Sequence, residues 1–453
     1  MWLRLAVLCA TLMAQGAQAS TVEMTPDELR GIALQSLEQG RPDQAAVMAE
    51  ALRARDGGDV DALLIGARAY RDLGQLENAR RWARAAWRHS DTAQERHASA
   101  LVMAQALASS DLRIPAQLWL RRAIEHAPDE ASRARAARDF KYVRSRTPLS
   151  FQIIAGISPN SNVNNGSTTG ESTFFDPFTR QFVEVELGGA ALALSGVEQN
   201  IGFALRYRFG ETPMRATDVT LAYDYRTYKL SDAAKALAPG VKGSDFRTSI
   251  ISGGLTQRWR LPDRSGEVTL GAHLGTMDYG GQHYADFGSV KLGATRVMSP
   301  TLRLGGTLSS ELTRGPRAPH ADAGRLDLFL QQALAEGGVL TWRLELGDSR
   351  SDSSNADYSE IGMGVSFAPP NPFWGVDLDY GLSLRMRDYD TSPFSADGRQ
   401  DQSAIAHVTA TFREVDFYGF VPTVTLRAER NLSNIGLYES DRIATEFGVR
   451  SAF

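Results

Sequence analysis

The hydrophobic period of this chain changes once, at Pro148, and does not change back. Residues 26–146 are rich in Ala, Arg, Leu and Glu and lack two-residue alternation, which is a helical pattern. Beyond Pro148, apolar and polar residues alternate in segment after segment. Trp374, Val376, Leu378, Tyr380, Leu382, Leu384 and Met386 take one face of a strand, and Asp377, Asp379, Gly381, Ser383, Arg385 and Arg387 the other. Ile201, Phe203, Leu205 and Tyr207 oppose Arg206 and Arg208 in the same way; Leu340, Trp342, Leu344 and Leu346 oppose Thr341, Arg343 and Glu345. Val424, Leu426 and Ala428 oppose Thr425, Arg427 and Glu429. A soluble sandwich is one way to bury such faces. Here every segment adds another aromatic-rich face and no helices remain to cover a sheet. Closure into a barrel, with apolar residues toward lipid and polar ones toward a lumen, is the economical solution.

Alternating segments between turn signals number fourteen, centred near 154, 203, 222, 252, 272, 291, 307, 329, 344, 362, 381, 406, 424 and 447. An even count is what bacterial single-chain barrels use. The connections sort by parity. After even-numbered strands they are short turns, at 261–265, 298–300, 336–338 and 414–416. After odd-numbered strands they are mostly longer and more polar, at 160–198, 231–243, 314–322, 348–355 and 390–400. Short periplasmic turns and long outer loops are the membrane pattern. The last strand carries Ile443, Thr445, Phe447, Val449 and the terminal Phe453 on one face. Phe447, Val449 and Phe453 resemble the assembly signal of outer-membrane barrels, although Ser451 stands where a hydrophobic residue is usual.

The helical half contains a repeat. Gly40-Arg41-Pro42-Asp43-Gln44-Ala45 returns as Gly74-Gln75-Leu76-Glu77-Asn78-Ala79, 34 residues on, and Ala79 and Ala86 keep a seven-residue spacing. A third unit follows with a three-residue slip, carrying Ala116, Ala123 and Pro128. Thirty-four residues is the tetratricopeptide period, in which small Ala lets paired helices approach and Gly ends the first helix. An unrelated Ala-rich bundle is the alternative. Stacked pairs make a curved surface that binds extended peptide or another protein. Tyr70 and Leu73 are expected at the groove. A last helix, 131–146, is basic, with Arg133, Arg135, Arg138, Lys141, Arg144 and Arg146 against Asp139. Its plainest account is a solvated face. Its place before the barrel makes Arg133, Arg138 and Lys141 further candidates for binding a client.

Residues 1–19 read as a secretory signal: Arg4, an apolar run over 5–13, and Ala17-Gln18-Ala19 as the cleavage site. The one cysteine, Cys9, lies inside it, and bulky Leu8 before it argues against a lipid attachment site. The mature chain therefore has no disulfide, thiolate metal site or Cys nucleophile. The domains are 20–148, a periplasmic helical solenoid, and 149–453, an outer-membrane barrel; the fold class is α+β in separate domains. A net charge of −4 gives no sign of nucleic-acid binding.

Catalytic chemistry is not evident. The seven His, at 89, 97, 126, 273, 283, 320 and 407, show no paired-ligand spacing, and no nucleophile elbow, Walker loop or dinucleotide fingerprint occurs. His273 and His407 point into the lumen by parity. Asp224, Asp377, Asp379 and Glu446 alternate with Arg as a lumen charge network. No enzyme activity, cofactor or metal is expected. The most distinctive string, Ser158-Pro159-Asn160-Ser161-Asn162-Val163-Asn164-Asn165-Gly166, reads as turn-formers just beyond the first strand.

Signal peptide, short tetratricopeptide domain, basic connecting helix and fourteen-strand barrel together resemble the surface lipoprotein assembly modulators. The Ser-Asn-Val-Asn-Asn run is similar to that family's barrel opening. The resemblance covers the mature chain and rests on architecture more than on motifs. It implies a non-enzymatic, monomeric translocon. The periplasmic repeats would receive a client (lipo)protein, often linked to metal or haem acquisition, and the barrel would pass it to the surface. Periplasmic chaperones, the barrel-assembly machinery and outer-membrane lipid would be its other partners. Two other classes stay open: a polysaccharide-export porin, which also joins such repeats to a barrel, and a plain nutrient porin.

Overall fold

The computed structural model describes residues 24–176, 178–415 and 420–451, so the signal segment with Ala17 and Ala19, Cys9 and the terminal Phe453 lie outside it. The chain forms two compact units that divide between Ser145 and Arg146.

The first unit has seven helices among its described residues: α1 (Pro26–Glu38), α2 (Pro42–Arg55), α3 (Val60–Asp72), α4 (Leu76–His89), α5 (Ala93–Ser109), α6 (Arg113–Glu125) and α7 (Glu130–Ser145). Consecutive helices pair, and the first helices of successive repeats, α1, α3 and α5, also touch one another along one face. The repeat alanines carry the packing: Ala45, Ala79, Ala86, Ala116 and Ala123 are fully buried. Gly66 of α3 is equally necessary, since a Cβ there would come within 2.3 Å of the Trp82 ring of α4. All three pairs end their first helix alike. The residue after the helix turns left-handed and a backbone bond closes from five residues on, Arg41 N to Ser36 O, Gln75 N to Tyr70 O and Leu112 N to Leu107 O. Gly40 (φ 70°) and Gly74 (φ 75°) are the left-handed residues in two repeats; in the slipped third it is Asp111 (φ 59°).

Helix starts are capped from the sequence. Thr25 and Thr92 form reciprocal boxes with Glu28 and Glu95, and Asp59 accepts from Ala62 N at 3.0 Å. Asp59 does more, because Arg30 of α1 reaches it at 2.7 Å and joins the first two repeats through a buried carboxylate. Burial pushes this carboxyl up, but the Arg30 hydrogen bond and the Ala62 cap outweigh it and hold it below the usual range.

The second unit is a closed fourteen-strand antiparallel barrel. Its strands are β1 (Leu149–Asn160), β4 (Gly196–Phe209), β5 (Arg215–Leu230), β6 (Thr248–Arg260), β7 (Gly266–Tyr279), β8 (Gln282–Ser299) and β9 (Leu302–Arg314). They continue as β10 (Ala321–Ala333), β11 (Val339–Ser351), β12 (Tyr358–Ala368), β13 (Val376–Tyr389), β14 (Arg399–Phe412), β15 (Phe420–Ser433) and β16 (Ser440–Ser451). Between β1 and β4, β2 (Glu171–Asp176) and β3 (Gln181–Glu186) form a separate hairpin. Each expected centre falls in a different barrel strand. The first strand pairs with both β4 and β16, which closes the ring. The shortest barrel strand, β12, has 11 residues, enough to cross the apolar core of a bilayer.

Cross-strand neighbours share a face, so Leu328, Leu344, Met363, Leu384 and Ala404 continue one another around the outside. Leu382, Leu384 and Met386 are about half exposed on that outer face, with no protein to cover them. Alternating strand direction places the short turns, the entry of β1 and the end of β16 at one end of the barrel, and the long connections at the other. Some connections depart from that division: β12 and β13 are joined at the short-turn end by seven residues, 369–375. β7 and β8 are joined at the long-loop end by Gly280-Gly281 alone, whose φ values of 63° and 82° suit a two-residue hairpin turn.

Candidate functional site

Lumen-facing residues follow from the period of two and are dominated by opposite charges. On the wall made by β10 to β13, Glu360 is the centre: its side chain is 1% exposed and lies 2.6 Å from Arg387, 3.4 Å from Arg325 and 3.5 Å from Arg385. Arg385 also meets Glu345 at 3.1 Å. A second group near the short-turn end has Asp218 held by Arg208 and Arg258, each at 2.8 Å, with Arg258 also 3.3 Å from Glu267. A third runs from Arg427 through Glu429 to Arg442. A carboxylate in such a wall is stable only when cations surround it, because the apolar belt and lipid lie behind it.

The histidines expected in the lumen are there. Each ring lies over a glycine of the neighbouring strand: a Cβ on Gly254 would come 2.1 Å from the His273 ring, and one on Gly381 2.0 Å from the His407 ring. His407 faces Asp379 at 3.5 Å. Asp377 pairs with Arg413, and Asp224 lies across from Gly202. Glu446 stands opposite Thr425. No group of three His, Cys, Asp or Glu among the described residues is arranged to hold a metal ion.

The long-loop end is built around Arg399, whose side chain is buried at the start of β14. Its guanidinium lies over the ring of Tyr389 at 3.5 Å and that of Tyr438 at 3.9 Å. Asn355 Oδ1 accepts from Arg399 at 3.1 Å and from the Tyr438 hydroxyl at 2.9 Å. The connections 352–357 and 434–439 are thereby held to a lumen-facing side chain.

The asparagine string after β1 is a clasp rather than a plain loop. Asn162 and Gly166 exchange two hydrogen bonds of 2.9 Å, and Asn162 N donates to Asn160 Oδ1 at 2.9 Å. Across the seam, Ser161 N donates to Ile443 O at 3.0 Å, Ile443 N to Ser161 Oγ at 2.8 Å, and Arg442 Nε to Asn162 O at 3.1 Å. Asn164 fixes the returning chain by donating to Leu192 O and accepting from Leu194 N. Only glycine fits at 166, where a Cβ would lie 2.2 Å from Leu192 O. The turn composition was legible; the two-sided amide bonding needs the register.

The client-binding candidates separate. Tyr70 is 7% exposed, its ring centroid 5.3 Å from that of Trp82 and its hydroxyl donating to Glu50. Burial, then Glu50, pushes its pKa up to about 12. It is therefore a neutral, largely buried residue that shapes the repeat. Leu73, capping the end of α3, is exposed. On α7, Ala136 and Phe140 are buried, with Arg121 stacked 4.8 Å over Phe140, while Arg138 and Lys141 are exposed on the other side and Arg133 lies 3.8 Å from Glu130. The face shared by α1, α3 and α5 presents residues that the repeat register could have picked out: Leu34, Arg68, Arg71 and Gln105 are exposed or half-exposed there. Arg71 donates to Gln105 at 2.5 Å, one repeat length away.

No family model and no curated protein matches the chain. Solved structures are similar to parts of it. The type III secretion translocator chaperone SycD of Yersinia enterocolitica shares 16% identity over 27% of this chain and 88% of its own, with a TM-score of 0.25. A loop-deleted outer-membrane protein OmpT of Vibrio cholerae shares 7% over 67% of this chain and 99% of its own, TM-score 0.35. A bacterial polysaccharide outer-membrane secretin shares 8% over 66% and 98%, TM-score 0.34. The outer face of the barrel carries its own physical statement. An apolar belt around a closed antiparallel sheet, with paired charges inside, is a membrane-spanning surface of the outer-membrane type. The barrel spans a membrane.

Proposed function

We propose that this protein is a non-enzymatic outer-membrane translocon that receives a client protein in the periplasm and delivers it to the cell surface. The client class that its resemblance to the surface lipoprotein assembly modulators favours is a lipoprotein, including those that serve metal or haem acquisition. One observation carries the reading: a tetratricopeptide-like solenoid is joined, with only residues 146–148 between, to the end of the barrel that bears the short turns. Short turns are periplasmic in barrels of this kind, so the chain enters the barrel from the side on which cargo arrives. The client docks as extended chain along the face of α1, α3 and α5, with Leu34 offering apolar contact and Arg68 and Arg71 charge. No nucleotide motif is present, so client folding outside or hand-off from periplasmic chaperones supplies the free energy.

A nutrient porin gains nothing from a docking solenoid. A polysaccharide exporter for an acidic polymer calls for a free track of one charge sign. Glu360 instead holds three arginines and Asp218 two in ion pairs, so these cations form no such free track, which favours the protein cargo. Protease shaving of intact cells, wild type against a deletion strain, tests this. Loss of one or two surface proteins, retained inside the deletion strain, is the expected result. An unchanged surface proteome with altered extracellular polysaccharide would replace this reading with the exporter.

A further inference from the structure

The long connection after β1 holds an element that neither the lumen nor the solenoid accounts for. β2 and β3 pair only with each other, and the two edges of this hairpin differ. β2 is tied to the barrel rim. Phe175 N donates to Phe394 O at 2.9 Å, the rings of Phe174 and Phe394 lie 4.6 Å apart, and Leu437 N donates to Ser172 Oγ at 3.0 Å. Among the described residues β3 has no strand on its other side, and all six of its residues are exposed.

The bonding phase of that free edge can be read. In an antiparallel pair alternate residues turn N–H and C=O outward, and opposite residues turn the same way. Phe175 is turned outward, as its bond to Phe394 requires, and Phe182 is its partner across the hairpin. Phe182, Glu184 and Glu186 therefore offer their backbone groups to whatever lies beyond β3. Soluble edges are normally blunted by Lys, Pro or a bulge. This one reads Gln-Phe-Val-Glu-Val-Glu, with Phe182 68% and Val183 44% exposed. Register places Phe175, Phe182, Glu171, Glu184 and Glu186 on one face, which is apolar toward the turn and acidic away from it. A second copy paired antiparallel through Glu184 would set like charges against each other, which disfavours self-association.

We propose that β3 is a strand-addition site for a partner protein's extended segment that alternates basic and apolar residues. Backbone bonding to Phe182, Glu184 and Glu186 supplies affinity. Lysine or arginine against Glu184 and Glu186, and an apolar residue against Phe182, supply selectivity. The site goes beyond the translocation reading and does not depend on it, since it requires only that a partner reach the long-loop end.

The test uses the full-length protein in detergent micelles and a fluorescein-labelled peptide, Thr-Lys-Val-Lys-Val-Phe-Thr, read by anisotropy. Saturable binding is expected, weakened about tenfold or more when alternate peptide amides are N-methylated. Glu184→Pro removes an outward N–H and no hairpin bond, so it should weaken binding similarly while the β-sheet circular dichroism is unchanged. Glu184→Lys with Glu186→Lys should transfer the preference to a peptide with Glu in place of Lys. Absence of saturable binding overturns the proposal, as does equal binding by wild type and both variants. A dimer in light scattering that Glu184→Pro abolishes would overturn it in favour of a second copy.

Discussion

The guanidinium of Arg399 lies 3.9 Å from the ring centre of Tyr438, with Asn355 accepting a hydrogen bond from each. Two outer connections are thus pinned to one lumen-facing cation. Arg399→Ala should free residues 434–439, seen as faster proteolysis of intact cells near Tyr438 and larger single-channel conductance. Arg399→Lys should behave alike, because an ammonium lacks the flat stacking surface and the fork that reaches Asn355. Unchanged conductance and proteolysis in both would show that the mouth is held by other contacts.

Glu360 is the shared ion-pair partner of three arginines inside the wall. Glu360→Gln keeps the shape and leaves Arg325, Arg385 and Arg387 in excess. In a planar bilayer with a salt gradient, the reversal potential should move toward anion selectivity. Glu345 remains beside Arg385, so loss of Glu345 as well should move it further.

Asp59 predicts an acid limit for the solenoid. Its folded-state pKa is lowered, so the stability it gives is present above the ordinary Asp range and is lost as pH falls through the folded value. Helical circular dichroism of the full chain should fade below about pH 4, before the barrel signal does. Asp59→Ala should cost about 3 kcal/mol, since it strands Arg30 and removes the cap. Asp59→Asn keeps the cap and should cost less.

Asp111 occupies a left-handed position that glycine fills in the other repeats. Asp111→Gly should stabilise the solenoid by about 0.5–1 kcal/mol, read as a higher melting temperature of the helical signal. Its exposed pair with Arg113 is too solvated to offset this. By the same comparison Gly66→Ala should destabilise, by about 1–3 kcal/mol, through collision with Trp82.

Period and parity made most of the barrel legible, because a strand buried against lipid on one side must alternate. The repeat at Gly40 and Gly74 was legible for the same kind of reason. What escaped were features that depend on distant partners. Asp111 replaced the expected glycine through backbone tolerance of Asp in the left-handed region. Gly280-Gly281 makes a two-residue turn at the end where most connections were expected to be longer. Tyr70, conspicuous in sequence, proved to be core, while Leu34 and Arg68 carry the open face with no local signal beyond their repeat position. Asn162 finds partners hundreds of residues away, its side-chain amide donating to Asp441 O and its backbone carbonyl accepting from Arg442, which no local pattern shows.

That last distance bears on how the molecule is made. Asn160 opposes Ala444, so the seam joins the first strand of the barrel to the last. Contacts of such sequence separation form late, after the loop entropy of everything between has been spent. Until then β1 has one partner and one bare edge, in a setting where bare edges attract other chains. The clasp's bonds to Asp441, Arg442 and Ile443 exist only in the finished seam, so it acts as a catch that engages once the ring has shut.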